Sequence, residues 1–331
     1  MTTSQTPLLK VCNLTTKFHS KGKTLTAVDG ISLEVNPGEV LGLVGESGSG
    51  KSITLRSITG LAKQHGTVEG NVFWKGEDLI PQSEKQLQSV RGSQISMIFQ
   101  EPMTSLNPLL NIGLQIEENL KAHTQLDRRQ RRARAIELLD TVGIPSASSR
   151  LKDYPHQFSG GMRQRVMIAI ALASNPELLL ADEPTTALDV TIQDQILQLL
   201  LSLAKNLNMA IVLVTHDLGV VAQTCDRVAV MYAGRLVENG SVRDVLKSPR
   251  HPYTLGLLKS VPENIPPRTA LYSVPGTPPA LDALPVGCSF APRCNKAQED
   301  CYQVKPSLQT IGEGISAACH HLDVARQEEL A

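Results

Sequence analysis

Aromatic residues are scarce in this chain: they make up 3% of its 331 residues, with a single tryptophan, Trp74. So few rings exclude a base-stacking platform or an aromatic-rich binding face. Net charge is absent too, with 32 basic residues set against 32 acidic ones, which excludes the basic footprint of nonspecific nucleic-acid binding. Long apolar runs are missing: stretches such as residues 166–173 end far short of the roughly 20 residues that cross a bilayer. The opening, MTTSQTPLLKV, has neither the basic flank nor the apolar core of a secretion signal. Together these absences predict a soluble, cytosolic chain.

The apolar runs that are present are short. Residues 40–44 lead into a glycine-rich turn, while 177–181, with Leu178-Leu179-Leu180, and the branched run 211–214 have the pattern of buried parallel strands. Between the last two, residues 191–206 place Ile192, Ile196, Leu199, Leu200 and Leu203 at helical spacing, as in a crossover helix. This alternation predicts an α/β domain over residues 1–260. Residues 110–175 show no clear strand and carry the basic run Arg128, Arg129, Arg131, Arg132 and Arg134. With Glu117, Glu118, Asp127 and Glu137 nearby, that run is expected to be a solvated helix face. Eight of the 20 prolines lie between Pro262 and Pro292, which predicts an extended connector followed by a small tail. There is no internal repeat.

Gly45-Glu46-Ser47-Gly48-Ser49-Gly50-Lys51-Ser52 fits a phosphate-binding loop, with a strand before it and a predicted helix, 53–59, after it. Glycines let the backbone fold into a nest of N–H groups that converge on phosphate oxygens, and a helix N-terminus adds its positive end. Lys51 is then placed for the β- and γ-phosphates and the Ser52 hydroxyl for Mg²⁺. Asp182 and Glu183 end the predicted strand at 177–181. Beside a phosphate loop, Asp182 suits the Mg²⁺ water shell and Glu183 suits polarisation of an attacking water.

Cys12 and Cys225 stand in apolar surroundings and read as core thiols, whereas Cys288, Cys294, Cys301 and Cys319 fall within the last 44 residues. In a reducing compartment such a cluster points to a metal or iron–sulfur site rather than to disulfides. The gaps of five, six and seventeen residues lack the short knuckles of structural zinc sites. Four thiolates suit a [4Fe–4S] cluster, while Cys319-His320-His321 keeps zinc with a histidine ligand open, as well as unligated thiols. His320 and His321 read most simply as solvent-facing. A metal would staple a tail too small to hold a core of its own.

Further segments carry a resemblance. Phe158-Ser159-Gly160-Gly161-Met162, Gln100 after the run 95–99, Ala187-Leu188-Asp189 and His216 in Val214-Thr215-His216-Asp217 follow the phosphate loop and Glu183 in an order and spacing that resemble the ATP-binding cassette (ABC) ATPases across residues 1–260. The resemblance implies a phosphate-loop NTPase α/β core with a helical subdomain at about residues 105–170, and a cysteine-containing extension over 261–331. It also implies that two cassettes pair head to tail, so that Ser159, Gly160, Gly161 and Met162 act in trans on the partner's ATP. In that scheme Glu183 is the general base, His216 meets the γ-phosphate and water, and Gln100 senses Mg²⁺ alongside Ser52 and Asp182. Asp189 marks the D-loop and Phe18 stands where a tyrosine usually stacks on adenine. The commonest signature reads Leu-Ser-Gly-Gly-Gln; Phe158 and Met162 depart from it, which is expected to touch nucleotide affinity and leave hydrolysis in place.

Within that family, Gln100–Pro108, Asp153-Tyr154-Pro155-His156-Gln157, Arg250-His251-Pro252-Tyr253-Thr254 and the four-cysteine tail resemble the ATPase subunits of bacterial dipeptide, oligopeptide and nickel importers, their D-type subunits most of all. This implies a peripheral subunit on the cytoplasmic face of the inner membrane. Its expected partners are a second, related ATPase, two permease subunits and, indirectly, an extracytoplasmic peptide-binding protein. Nickel-chelate, glutathione and antimicrobial-peptide import stay open as alternatives, and a soluble nucleic-acid-linked cassette ATPase is disfavoured by the single cassette and zero net charge. The resemblance also favours a [4Fe–4S] cluster on Cys288, Cys294, Cys301 and Cys319.

Overall fold

The computed structural model describes residues 6–20, 22–100, 105–186, 188–261 and 272–322. Glu101–Thr104 of the motif after Gln100, Ala187 of the D-loop and residues 262–271 of the proline-rich connector lie outside the described residues. The chain divides into two compact units. The first comprises Met1–Val35, Val40–Pro81 and Val214–Ala331; the second comprises Asn36–Glu39 and Gln82–Leu213.

In the first unit, β1 (Leu9–Ser20), β2 (Lys23–Val35), β4 (Gly66–Trp74) and β5 (Glu77–Asp78) form an antiparallel sheet in the order β2-β1-β4-β5. Leu9, Val11, Leu14 and Thr16 of β1 are buried. Bulges between Val11 and Thr16 break the pairing register and so the simple two-residue period. That break is why the sequence pattern does not single out these strands. The unit's other strands are β3 (Val40–Val44), β9 (Arg227–Tyr232), β10 (Arg235–Ser241), β11 (Gln309–Gly312) and β12 (Ile315–Ala317), paired in the order β11-β12-β10-β9-β3. β3 and β9 are parallel, from Leu41 opposite Arg227 to Val44 opposite Val230.

The cysteine tail therefore does not stand apart. Its strand β12 pairs with β10, and its Phe290 joins Val44, Val230, Tyr232 and Tyr253 in one apolar core, with Cys288 and Cys294 packed against it. The expectation of a tail with little core of its own holds, but the first unit supplies the core that a metal was expected to replace.

In the second unit β6 (Ile95–Ile98) lies parallel to β7 (Leu178–Asp182), whose five residues are all buried. β8 (Ala210–Thr215), entirely buried, begins in this unit, where Ala210 N–H donates to Glu177 O and Ile211 N–H to Glu39 O, both at 2.9 Å. The three strands expected at 40–44, 177–181 and 211–214 are present to within a residue or so. The crossover helix is Val190–Leu207, which buries Ile196, Leu197, Leu200 and Leu203 and ends on left-handed Asn208. Each such side chain contributes about 1.5–3 kcal/mol of burial.

The region between β6 and β7 carries the helices Ile112–His123, Arg128–Thr141 and Gly160–Ala171. The helix Arg128–Thr141 starts at a capping box in which Asp127 accepts from Gln130 N–H and the Gln130 side chain accepts from Asp127 N–H, both at 2.8 Å. It buries Ala135, Leu138 and Leu139. Arg128 and Arg129 are exposed, and Arg134 reaches Glu137 and Asn175, both at 2.8 Å. The basic run is thus a solvated face. Among the described residues no helix is long and apolar enough to cross a membrane.

Candidate active site and cysteine centre

β3 delivers the chain into the loop Gly45–Ser52, and the helix Lys51–Ile58 begins at once behind Gly50, which has φ +102°. Gly45 has φ +151°, and a Cβ there would run into the Met231 carbonyl. Glycine is required at that point because β9 passes too close for any side chain. Lys51 is buried, and its Nζ donates to Gly45 O (2.7 Å) and Glu46 O (2.9 Å). The loop is thus wound around its ammonium. The hydroxyl Oγ of Ser49 is buried and has no hydrogen-bond partner among the described residues, as befits a group that awaits an anion. A phosphate group therefore fits this cradle.

His216 belongs to the same unit and is exposed at the end of β8. The next residue, Asp217, caps the helix Leu218–Thr224 by accepting from Gly219 N–H (2.7 Å) and Val220 N–H (3.2 Å). Phe18 is half-buried on β1 opposite Gly66, where a Cβ would lie 2.8 Å from the Phe18 ring.

The second unit brings together Gln100, Asp182 and Glu183. Asp182 is fully buried as the last residue of β7. Glu183 follows it with φ +46°, in the left-handed region that costs a side-chain-bearing residue about 1–2 kcal/mol. Its Oε2 accepts from Thr186 Oγ1 at 2.8 Å and from Gln100 Nε2 at 3.3 Å. The turn Glu183–Thr186, closed by Thr186 N–H donating to Glu183 O (3.2 Å), thus carries both the carboxylate and a donor that orients it. Thr186 was not singled out by sequence because an isolated threonine after Asp-Glu-Pro-Thr has no motif signal of its own.

In the same unit Ser159 is exposed at the N-cap of the helix Gly160–Ala171 and accepts from Met162 N–H at 3.4 Å. Phe158 is buried with the Arg150 guanidinium 5.7 Å from its ring centroid. Burial explains why an aromatic residue serves in the place of leucine at this position. Gly160 is also exposed, so the signature presents an open helix N-terminus. Asp189 is exposed at the N-cap of the helix Val190–Leu207.

Cys288, Cys294, Cys301 and Cys319, separated along the chain, line one cavity of the first unit together with His251, Phe290 and His321. Cys288 N–H donates to Cys301 O at 2.7 Å, and a Cβ at Gly287 would run into that same carbonyl. Burial pushes the thiols of Cys288 and Cys294 up and that of Cys319 up to about 11. Four thiols lining one cavity fit a soft metal centre, which would stabilise thiolates against burial. Asp300, Cys301 and His321 also place one donor atom each within 4.8 Å of one another. His321 is half-buried, with Nε2 3.0 Å from Asp300 Oδ1 and its N–H donating to Cys319 Sγ at 3.4 Å. Only His320 faces solvent as expected for the pair.

Comparison with known proteins finds relatives for both parts of the chain. Residues 28–186 match the family "ABC transporter", and residues 237–301 match "Oligopeptide/dipeptide transporter, C-terminal region". The chain is 51% identical over 314 residues to the oligopeptide transport ATP-binding protein AppD of Bacillus subtilis, covering 94% of this chain and 96% of that one. The chain belongs to the ABC transporter ATPases of the oligopeptide/dipeptide transporter family. The oligopeptide transport ATP-binding protein OppD of Haemophilus influenzae is 48% identical over 313 residues, 95% of this chain and 97% of its own. Among solved structures, the ATP-binding cassette MJ0796, a dimer bound to ADP and Pi, superposes with a TM-score of 0.64 at 32% identity, covering 71% of this ABC ATPase and 99% of that chain. The fold is thus the phosphate-loop ABC ATPase α/β fold with its helical subdomain and C-terminal extension.

Proposed function

We propose that this ABC ATPase is the subunit whose hydrolysis of ATP drives peptide uptake through a membrane permease. The observation that carries the reading is the Glu183 carboxylate, oriented by Thr186 and Gln100, in a chain that also has a complete Gly45–Ser52 loop and the oligopeptide-type extension. Gly45–Ser52 binds the phosphates of ATP, with Lys51 leaving its loop carbonyls for the β- and γ-oxygens. Ser52, Gln100 and Asp182 would hold Mg²⁺, which would offset the charge on the phosphate oxygens. Glu183 takes the proton of the attacking water, and His216 steadies the γ-phosphate. Phe18 stacks on adenine. Ser159, Gly160, Gly161 and Met162 serve the ATP of a partner cassette, with Asp189 at the dimer seam.

The same reading divides the chain into a nucleotide-binding domain, residues 1–260, with a helical subdomain at about 105–170, and an extension, residues 261–331. It places the chain peripherally on the cytoplasmic face of the inner membrane, in a heterodimer with a related ATPase above two permease subunits. An extracytoplasmic binding protein selects the cargo, dipeptides or oligopeptides first and nickel-chelate, glutathione or antimicrobial peptides as alternatives. Cys288, Cys294, Cys301 and Cys319 would hold a [4Fe–4S] cluster, which supplies a structural cross-link when bound. Their convergence on one cavity supports this.

The test is a Glu183→Gln variant expressed in its own host, trapped with Mg-ATP and isolated from gently solubilised membranes. Two permease chains and a second cassette are expected to come with it. Recovery of soluble chains or nucleic acid alone would refute membrane coupling. Ligand screening of the co-encoded binding protein then identifies the cargo.

A further inference from the structure

Glu46 is an anomaly in the phosphate loop: a carboxylate in a cradle shaped for anions. Its side chain meets Arg293, the residue before Cys294 in the extension and in the same unit as the loop. The Arg293 side chain is 5% exposed and grips Glu46 with both ends of its fork, Nη1 donating to Oε2 at 2.7 Å and Nη2 to Oε1 at 3.0 Å. Its remaining bonds run to Pro275 O (2.7 Å), Val274 O (3.2 Å) and the Tyr232 hydroxyl (3.2 Å). The guanidinium also lies 5.7 Å and 5.9 Å from the ring centroids of Tyr232 and Phe290. A cation so enclosed is stable only beside its counter-ion, and a bidentate pair fixes orientation as well as charge. Glu46 is fixed elsewhere too. Its N–H donates to the Tyr253 hydroxyl (2.8 Å), and its carbonyl accepts from Ser49 N–H (3.2 Å) and Lys51 Nζ (2.9 Å).

We propose that Arg293 is a positioning residue of the nucleotide site: by neutralising and anchoring Glu46 it holds the phosphate loop in its anion-binding shape, so that the cysteine-bearing extension becomes part of the apparatus that binds Mg-ATP. This rests on the reading of Gly45–Ser52 as the nucleotide loop. Without Arg293 the Glu46 carboxylate would repel the triphosphate and compete with it for Lys51 and the loop N–H groups.

The test measures Mg-ATP affinity by calorimetry, steady-state ATPase kinetics and thermal melting on the full chain. Arg293→Met is expected to raise Kd and KM about tenfold while kcat at saturation stays nearly constant. Arg293→Lys, which keeps the charge but not the fork and is the safer variant to fold, is expected to raise Kd about threefold with little change in melting. The double variant Glu46→Gln/Arg293→Met removes the unpaired carboxylate and is expected to recover most of the lost affinity. A residue that merely holds the extension in place predicts no such recovery. Lys51→Ala serves as the reference. If it weakens binding while Arg293→Met and Arg293→Lys do not, or if the double variant binds no better than Arg293→Met, the inference is overturned. If Lys51→Ala also binds normally, the reading of the loop itself fails.

Discussion

A single carboxylate carries the proposed chemistry. Glu183 sits in a left-handed conformation, and its Oε2 is held by Thr186 and Gln100. The strain is tolerated because the buried end of β7 fixes the backbone on one side and the turn to Thr186 fixes it on the other. Glu183→Gln is expected to keep Mg-ATP binding and to lower kcat by about a hundredfold or more, measured by phosphate release. Thr186→Val removes one orienting donor while leaving shape intact. It is expected to lower kcat by about fivefold with KM unchanged, and an equal loss in kcat and gain in KM would show that Thr186 acts on nucleotide binding instead. Another carboxylate, the fully buried Glu238, accepts from Arg250 N–H (2.7 Å) and His251 N–H (3.0 Å). Burial holds its pKa above the ordinary 4.5 despite those bonds. The folded chain therefore retains this proton where the unfolded chain has lost it, and the group's contribution to stability falls as pH rises above 4.5. Urea melts against Glu238→Gln, which cannot titrate, are expected to show the stability difference moving in favour of the variant as pH rises.

At the scale of elements, short helices place the polar groups and depend on their caps. The seven-residue helix Leu218–Thr224 directly follows His216 and is capped by Asp217. Isolated helices of this length do not persist without such support. Asp217→Ala is expected to cost about 1 kcal/mol in denaturant melts and to loosen His216, lowering kcat more than nucleotide affinity. The elements also show where sequence patterns succeed. β7 and β8, wholly buried, read as plain apolar runs, and the amphipathic helix Val190–Leu207 reads from its spacing. β1 and β2 do not read so clearly, because bulges shift their register and lysines and threonines alternate into the pattern.

For the whole molecule, the extension and β3, the strand that leads into the phosphate loop, share one apolar core in the first unit. Phe290 packs 5.2 Å from Tyr232 and 5.4 Å from Tyr253, ring centre to ring centre. Phe290→Ala is thus expected to destabilise the unit that holds the phosphate loop by about 3 kcal/mol, seen as a lower melting temperature of the entire unit rather than release of the tail alone. Replacement of Cys288 and Cys294 by serine acts on the same core and on the proposed metal centre together. Anaerobically purified chain is expected to carry iron and acid-labile sulfide in equal amounts, and the double serine variant neither. Absence of both from the unaltered chain would remove the cluster reading.

The local motifs needed only the sequence. A phosphate loop, a strand-end carboxylate and a helix-capping Ser-Gly-Gly are short, contiguous devices whose chemistry depends on neighbouring backbone atoms. Gly45–Ser52, Asp182-Glu183 and Ser159–Met162 were therefore legible as residues. What the tertiary structure alone decided is long-range: the convergence of Cys288, Cys294, Cys301 and Cys319 on one cavity, the Gln100 amide on Glu183 across 83 positions of chain, and the Arg293 fork on Glu46 across 247. Spacing cannot predict such a pair, because a buried ion pair is stable only where folding has removed water from both partners at once.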